Sequence, residues 1–258
     1  MRCLVTGGLG FIGSNLVSEL SKENEVVVVD NLSTSRPDWE DFFSNHASVE
    51  IVKDCYGSDF IFKRVTSGEF DFIFHLGAIP RVLYSVENPY ETTDNNISKT
   101  VRLIEAARKG SVKRFIFSSS SSVYGGAEIM PTPSDHPKDP KSPYAWQKSS
   151  IEDFIKIECN LNDLDAVCLR YFNVFGPGQF GGSAYSTAIS AWCHAIRHKT
   201  ELRKDGTGEQ SRDMCYIENV VHANILAMKA QDSFFGECFN IACGDRTTNN
   251  EVLSFLET

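Results

Sequence analysis

Cys3-Leu4-Val5-Thr6-Gly7-Gly8-Leu9-Gly10-Phe11-Ile12-Gly13 restricts the fold of this 258-residue chain more than any other stretch. A short apolar run enters a turn rich in glycine. A helical pattern follows (Phe11, Ile12, Leu16, Val17, Leu20), and then Val26-Val27-Val28-Val29, which ends on Asp30. Unbroken apolar runs are what a parallel strand buried on both faces requires. Strand, turn, helix and strand in this order form the βαβ unit of a parallel sheet. Glycines in the first turn let the backbone approach a pyrophosphate and let the helix pack closely, while the helix N-terminus offers free N–H groups and a favourable dipole. Asp30, at the end of the second strand, is placed for the two hydroxyls of an adenosine ribose. A carboxylate there repels a 2′-phosphate, which favours NAD over NADP.

The alternation continues along the chain. Val49-Glu50-Ile51-Val52 reads as a strand ending near Asp54, whose carboxylate either accepts from an adenine amino group or caps a helix. Phe60 to Val65 is helical in pattern. Phe72-Ile73-Phe74-His75-Leu76 is a buried strand opening into Gly77-Ala78-Ile79-Pro80-Arg81, at the carboxyl end where open α/β sheets bind ligands. His75, inside an apolar run, reads as a satisfied core histidine. One long helix is expected over 90–109, with Asn95 and Asn96 in its first half; asparagine is disfavoured inside helices, so at least one should have a polar task. Arg114-Phe115-Ile116-Phe117 is a strand that runs into five serines, Ser118 to Ser122, and a proline-rich loop follows from Met130 to Pro143.

That loop ends at Ser142-Pro143-Tyr144-Ala145-Trp146-Gln147-Lys148, with proline suited to the first helical position. Tyr144 and Lys148 stand four apart, on one helix face. A nearby cation favours a phenolate and should lower the tyrosine pKa from about 10 toward neutrality, making Tyr144 a usable proton acceptor. A serine hydroxyl from the preceding run would sit beside it.

Composition excludes several alternatives. With 41% hydrophobic and 23% charged residues the chain is ordinary globular protein, one large domain or one with a smaller partner. A net charge of -9 disfavours nucleic-acid or anionic-membrane binding. No apolar run approaches the roughly 18–20 residues of a membrane span. The strand-like start leaves no room for a signal peptide. The eight cysteines are scattered without Cys-x-x-Cys spacing and read as buried free thiols of a reducing, cytoplasmic compartment, with no metal site.

Thr6-Gly7-Gly8-x-Gly10-Phe11-Ile12-Gly13, Asp30-Asn31, Ser119-Ser120-Ser121-x-Val123-Tyr124-Gly125, Ser142-Pro143-Tyr144-x-x-x-Lys148 and Arg170-Tyr171-Phe172-Asn173-Val174-Phe175-Gly176-Pro177 occur together and in this order. The set resembles the nucleotide-sugar branch of the extended short-chain dehydrogenase/reductases, over essentially the whole chain. The resemblance implies an α/β fold: a Rossmann-type doubly wound parallel sheet of about seven strands over 1–173, with strands returning to it from 213–243. It implies a smaller, interleaved and incomplete nucleotide-sugar domain over 174–258. Gly7, Gly10, Phe11, Ile12, Gly13, Asp30, Asn31, Asp54, Cys55, Leu76, Gly77, Ala78, Asn96 and Tyr171 would then serve NAD. Tyr144 would be the base, Lys148 would hold the nicotinamide ribose, and Ser120, or else Ser121, would bond the reacting sugar oxygen. Arg81, Asn173 and Arg212 would contact the substrate, the last two at its diphosphate.

Sugar 4,6-dehydratases carry an acid pair after the hydroxyl residue, and UDP-glucuronate decarboxylases a glutamate at the Ser122 position. Ser121 and Ser122 stand there instead. The resemblance therefore narrows to a 4-epimerase. Tyr144 would take the C4 hydroxyl proton while the C4 hydride passes to NAD, the 4-keto sugar would turn, and hydride and proton would then be returned. The stretch 75–85, Gly182-Ser183-Ala184-Tyr185 and 211–219 look most like UDP-N-acetylglucosamine 4-epimerases, with UDP-glucose and UDP-glucuronate epimerases as alternatives. Relatives run on by several dozen residues, and the missing part is expected to carry the position that gates an N-acetyl group. A homodimer through the helices near 90–109 and 144–160 is also implied.

Overall fold

The computed structural model describes residues 1–33, 35, 37–182 and 186–256. In chain order the elements are β1 (Arg2–Thr6), α1 (Phe11–Leu20), β2 (Glu25–Asp30), α2 (Pro37–Ser44), β3 (Val49–Lys53), α3 (Asp59–Thr66) and β4 (Phe72–His75). Next come α4 (Val82–Glu87), α5 (Pro89–Thr93), a π-helical turn (Asp94–Ser98), α6 (Lys99–Lys109), β5 (Arg114–Ser120), a 3-10 turn (Ser121–Tyr124), α7 (Pro143–Asn162) and β6 (Ala166–Tyr171). The last third holds β7 (Asn173–Phe175), α8 (Ala188–His198), β8 (Ser211–Arg212), β9 (Met214–Tyr216), α9 (Ile217–Lys229), β10 (Glu237–Ile241), β11 (Thr247–Thr248) and α10 (Asn249–Leu256).

Seven strands form one sheet in the order β3-β2-β1-β4-β5-β6-β10, and every pairing is parallel. The order reverses between β1 and β4, which opens a crevice beyond their carboxyl ends. Each apolar run divides between two cores, because strand side chains alternate. Leu4, Val27, Ile73 and Phe115 pack on one side with Ile104 and Ile155, from α6 and α7; Cys3, Val5, Val28, Phe74 and Ile116 pack on the other with Leu16 and Val220, from α1 and α9. Each such side chain, fully buried, stabilises the sheet by about 1.5–3 kcal/mol.

The helix expected over 90–109 is not one α-helix. A widened turn at Asp94–Ser98 interrupts it. The Tyr56 hydroxyl donates to the Asn95 carbonyl, and Gln147 Nε2 donates to the Thr92 and Thr93 hydroxyls at 3.0 and 3.1 Å. These contacts pin the turn, and such turns recur at functional sites. The last third builds two separate two-stranded sheets, β7 with β9 and β8 with β11, and β10, between β9 and β11 in the chain, rejoins the large sheet. All eight cysteines are free thiols; Cys193 and Cys243 are exposed, contrary to the expectation of burial, because they lie on α8 and in a loop after β10. Among the described residues no helix is long and apolar enough to cross a membrane, and no cluster of side chains could hold a metal ion.

Candidate active site

A cleft of about 510 Å³ runs along the carboxyl ends of β1, β2, β4 and β5. At its floor the glycine turn leaves no space for side chains. A Cβ on Gly13 would lie 2.1 Å from the Gly7 carbonyl oxygen, and one on Gly7, which has φ +67°, would lie 2.9 Å from the Gly77 backbone. Gly10 caps α1 without a side-chain bond, so the N–H groups of the first turn face the cleft beside Phe11 and Ile12. This is the cradle a pyrophosphate needs.

Asp30 is 6% exposed, and its orientation is set by three donors. Leu9 N–H reaches Oδ2 at 3.0 Å, while Leu32 N–H and Ser35 Oγ reach Oδ1 at 2.9 and 2.7 Å. Asp30 and Asn31 line the cleft, as do Asp54 and Cys55. Asp54 accepts from Cys55 N–H (2.7 Å) and Ser58 Oγ (2.6 Å), and Ser58, not Asp54, caps α3. Leu76, Gly77, Ala78 and Arg81 form the opposite wall. Behind them Thr6 Oγ1 accepts from Gly77 N–H (3.0 Å) and bonds His75 Nδ1 (2.7 Å), while His75 Nε2 bonds Thr100 Oγ1 (2.9 Å). His75 is a satisfied structural side chain, and burial pushes its pKa well below the usual value.

Ser142 Oγ caps α7 by accepting from Ala145 N–H, and the Tyr144 N–H donates to the buried Ser85 Oγ at 3.1 Å. The Tyr144 side chain lies beside Ser120, and Lys148 Nζ donates to the Ser118 carbonyl at 2.7 Å. The ammonium lies 4.7 Å from the Phe117 ring centre and 5.9 Å from that of Tyr144. The expected lowering of the tyrosine pKa is not found in the free protein. Burial pushes the Tyr144 phenol up to about 12, opposed by the Ser120 hydrogen bond, while burial draws Lys148 down to about 8 against the pull of Glu152. Desolvation dominates, and the Lys148 ammonium is held on a carbonyl oxygen.

Among the serines, Ser118 and Ser119 line the cleft; Ser120 touches Tyr144, and Ser121 begins the 3-10 turn. Asn96, expected to serve the cofactor, is not among the residues that line the cleft. Its Oδ1 accepts from Ile79 N–H (2.8 Å), and its Nδ2 donates to the Ile79 carbonyl (3.1 Å) and Gln147 Oε1 (2.8 Å). It holds the cleft wall, and its neighbour Asn95 is the one that lines the cleft. Tyr171 also lines it, with its hydroxyl held by Ser118 Oγ (3.0 Å) and Asn224 Nδ2 (2.7 Å).

Asn173 and Arg212 are not brought to the cleft. Asn173 Nδ2 donates to the Asp213 carbonyl (3.1 Å), and Arg212 Nη1 donates to its neighbour's carbonyl; both residues are exposed on the small sheets. Of the 182–185 stretch, Ser183, Ala184 and Tyr185 lie outside the described residues. Gln179, Phe180, Thr187 and Ser190 complete the cleft, and no motif in the sequence singles them out.

The match to known families now decides the class. Residues 3–242 match the NAD dependent epimerase/dehydratase family. The chain belongs to that family. It is an extended short-chain dehydrogenase/reductase, an NAD-dependent enzyme of the nucleotide-sugar epimerase branch, and NAD is its cofactor. Among solved structures it is similar to the UDP-N-acetylglucosamine 4-epimerase of Methanobrevibacter ruminantium in complex with UDP-N-acetylmuramic acid, with 37% identity, TM-score 0.93, and 100% of this chain and 82% of that one covered. It is also similar to the UDP-glucuronic acid 4-epimerase of Bacillus cereus in complex with UDP-glucuronic acid and NAD, with 29% identity, TM-score 0.90, and coverage of 100% and 82%. A UDP-glucose 4-epimerase of Mycolicibacterium smegmatis is 34% identical over 258 residues, 98% of this chain and 80% of the relative. The glycine cradle, the oriented Asp30 and the Tyr144/Lys148 pair in one cleft fit the cofactor that the family uses.

Proposed function

We propose that this chain interconverts the C4 epimers of a UDP-hexose, with UDP-GlcNAc and UDP-GalNAc as the preferred pair. The carrying observation is that Tyr144, with Ser120 beside it, meets the dinucleotide cradle in one cleft, while Ser121 and Ser122 occupy the positions where elimination or decarboxylation would need acids. Bound NAD supplies the acceptor, and on return the donor, of the C4 hydrogen. Tyr144 takes the C4 hydroxyl proton and gives it back on the other face, so the reaction has no net redox change. Ser120 orients the reacting oxygen. Lys148 holds the nicotinamide ribose, and its charge favours the phenolate once the site is filled. Asp30 and Asn31 bond the adenosine ribose, and Asp54 and Cys55 the adenine end. Residues 174–258 form the sugar side, and Arg212, with Asn173 at its entry, contacts the substrate diphosphate.

The 37% identical N-acetylglucosamine epimerase supports the preferred pair. The similarity to the Mycolicibacterium enzyme makes UDP-glucose the second reading. A homodimer is proposed through α5 to α7, where Tyr90, Ile157 and Leu161 are exposed (87%, 51% and 75%); a solely monomeric species in light scattering would refute it. The cell compartment proposed is the cytoplasm. A proton NMR time course with UDP-GlcNAc and no added NAD tests the function. New UDP-GalNAc anomeric signals support both class and sugar. Conversion of UDP-glucose alone corrects the sugar, and a keto product or no reaction with either rejects the reading.

A further inference from the structure

Tyr144, Lys148 and Glu152 recur every four residues on α7 and share one face. That face meets three consecutive serines at the end of β5. Tyr144 lies beside Ser120, Lys148 Nζ donates to the Ser118 carbonyl at 2.7 Å, and Ser119 Oγ donates to Glu152 Oε1 at 2.5 Å. Glu152 is 2% exposed and Arg170 on β6 is 4% exposed. They pair in two places, Arg170 Nε to Oε1 and Nη2 to Oε2, both at 2.8 Å. Arg170 Nη1 continues to the Tyr124 hydroxyl (2.7 Å) and the Ser134 carbonyl (2.8 Å), and Lys138 Nζ lies 3.6 Å from Glu152 Oε2. A buried ion pair is a poor device for stability, since desolvation offsets most of its attraction.

We propose that Glu152 is a positioning residue for the reaction: its carboxylate supplies the counter-charge for the Lys148 ammonium and ties the serine strand end to the Tyr144 helix. This rests on the roles given to Tyr144 and Lys148 above. The groups facing Lys148 come from every neighbouring element. They are Tyr144 and Glu152 on α7, neutral His75 on β4, the Phe117 ring on β5 and the Cys168 thiol on β6. Glu152 is the only carboxylate in that set. Burial draws Lys148 down to about 8, and the Glu152 charge opposes this. Without that charge the ammonium would be lost at a lower pH, and with it the cation beside the base.

The test is a carbon NMR titration of protein labelled at the lysine ε-carbon, with Lys148 assigned by the signal lost in Lys148→Met. Glu152→Gln should lower the Lys148 midpoint by about one pH unit, and Glu152→Asp should restore it toward wild type. In turnover the alkaline limb of the pH profile should move with the midpoint; a merely structural loss would lower the rate at every pH and leave the limb in place. Glu152→Gln leaves Arg170 buried and unpaired, so Glu152→Gln/Arg170→Gln is titrated alongside and should show a smaller fall in the same direction. An unmoved midpoint in folded variants overturns the proposal. Failure of both variants to fold also overturns it, by assigning the pair to stability alone. The midpoint needs no turnover, so an inactive wild type would sink the epimerase reading separately.

Discussion

The cofactor side and the substrate side of this molecule are built on different principles. The cofactor side is the carboxyl edge of a seven-stranded sheet buried between two cores, so its turns are fixed by packing on both faces. Gly13, Asp30 and Asn96 there have their geometry settled by backbone contact and, among the described residues, by three hydrogen bonds to Asp30 and four to Asn96. The side proposed to take the substrate rests on two-stranded sheets of two or three residues per strand, and it leaves Asn173 and Arg212 exposed, each side chain bonded to a backbone carbonyl. A preorganised site binds without paying ordering entropy, which suits a cofactor kept through every turnover. A loosely held rim suits a sugar that must turn over between two half-reactions.

The contrast can be broken at its centre first. Tyr144→Phe should lower kcat by about 10²–10⁴-fold while NAD content, measured on the purified protein, stays unchanged; activity within tenfold of wild type would remove Tyr144 as the base. Gly13→Ala forces a Cβ to within 2.1 Å of the Gly7 oxygen. It should abolish NAD retention, read from the absorbance of the denatured supernatant, with activity falling in parallel. On the loose side Arg212→Ala should leave NAD content intact and raise KM by about 10-fold or more, the scale of losing a charge-assisted bond of roughly 1.5–3 kcal/mol. An unchanged KM would keep Arg212 off the substrate.

Smaller effects sharpen the comparison. Asn96→Ala strips the Ile79 N–H of its acceptor and should cost about 1–3 kcal/mol in denaturant unfolding, with a modest fall in NAD affinity because the wall at Gly77–Ala78 loosens. His75 gives a pH signature. Its folded pKa lies well below 6.5 through burial, so the unfolded chain binds the extra proton. The stability it contributes is present above about pH 6.5 and is lost as pH falls below that; Tm should decline from about pH 7 to about pH 5, with the His75 imidazole still neutral by NMR.

The same contrast explains what could be read from the sequence. The sheet was legible because doubly buried strands are unbroken apolar runs, and the glycine turn because backbone approach admits no substitute. Tyr144 with Lys148, and Ser120 beside them, follow from helix spacing and strand order. Local pattern missed what depends on burial and on distant partners. The Tyr144 pKa rises because burial desolvates the phenol, and the Lys148 ammonium is bonded to the Ser118 carbonyl. The turn at Asp94–Ser98 depends on Tyr56 and Gln147, far away in sequence. The partners of Asn96, from Ile79 and Gln147 as well as its neighbour Asn95, are likewise invisible to local pattern. Gln179 and Phe180 reach the cleft through a loop that carries no periodic signal.

The most direct measurement uses UDP-hexose deuterated at C4, incubated with the protein as purified, and product analysis by proton NMR and mass. Oxidation and return at one carbon within one cleft should leave the deuterium at C4 of the epimer, with none in solvent and no free NADH. Loss of the label to water, or free NADH accumulating with a keto sugar, would contradict the assignment of Tyr144 and its cleft to 4-epimerisation.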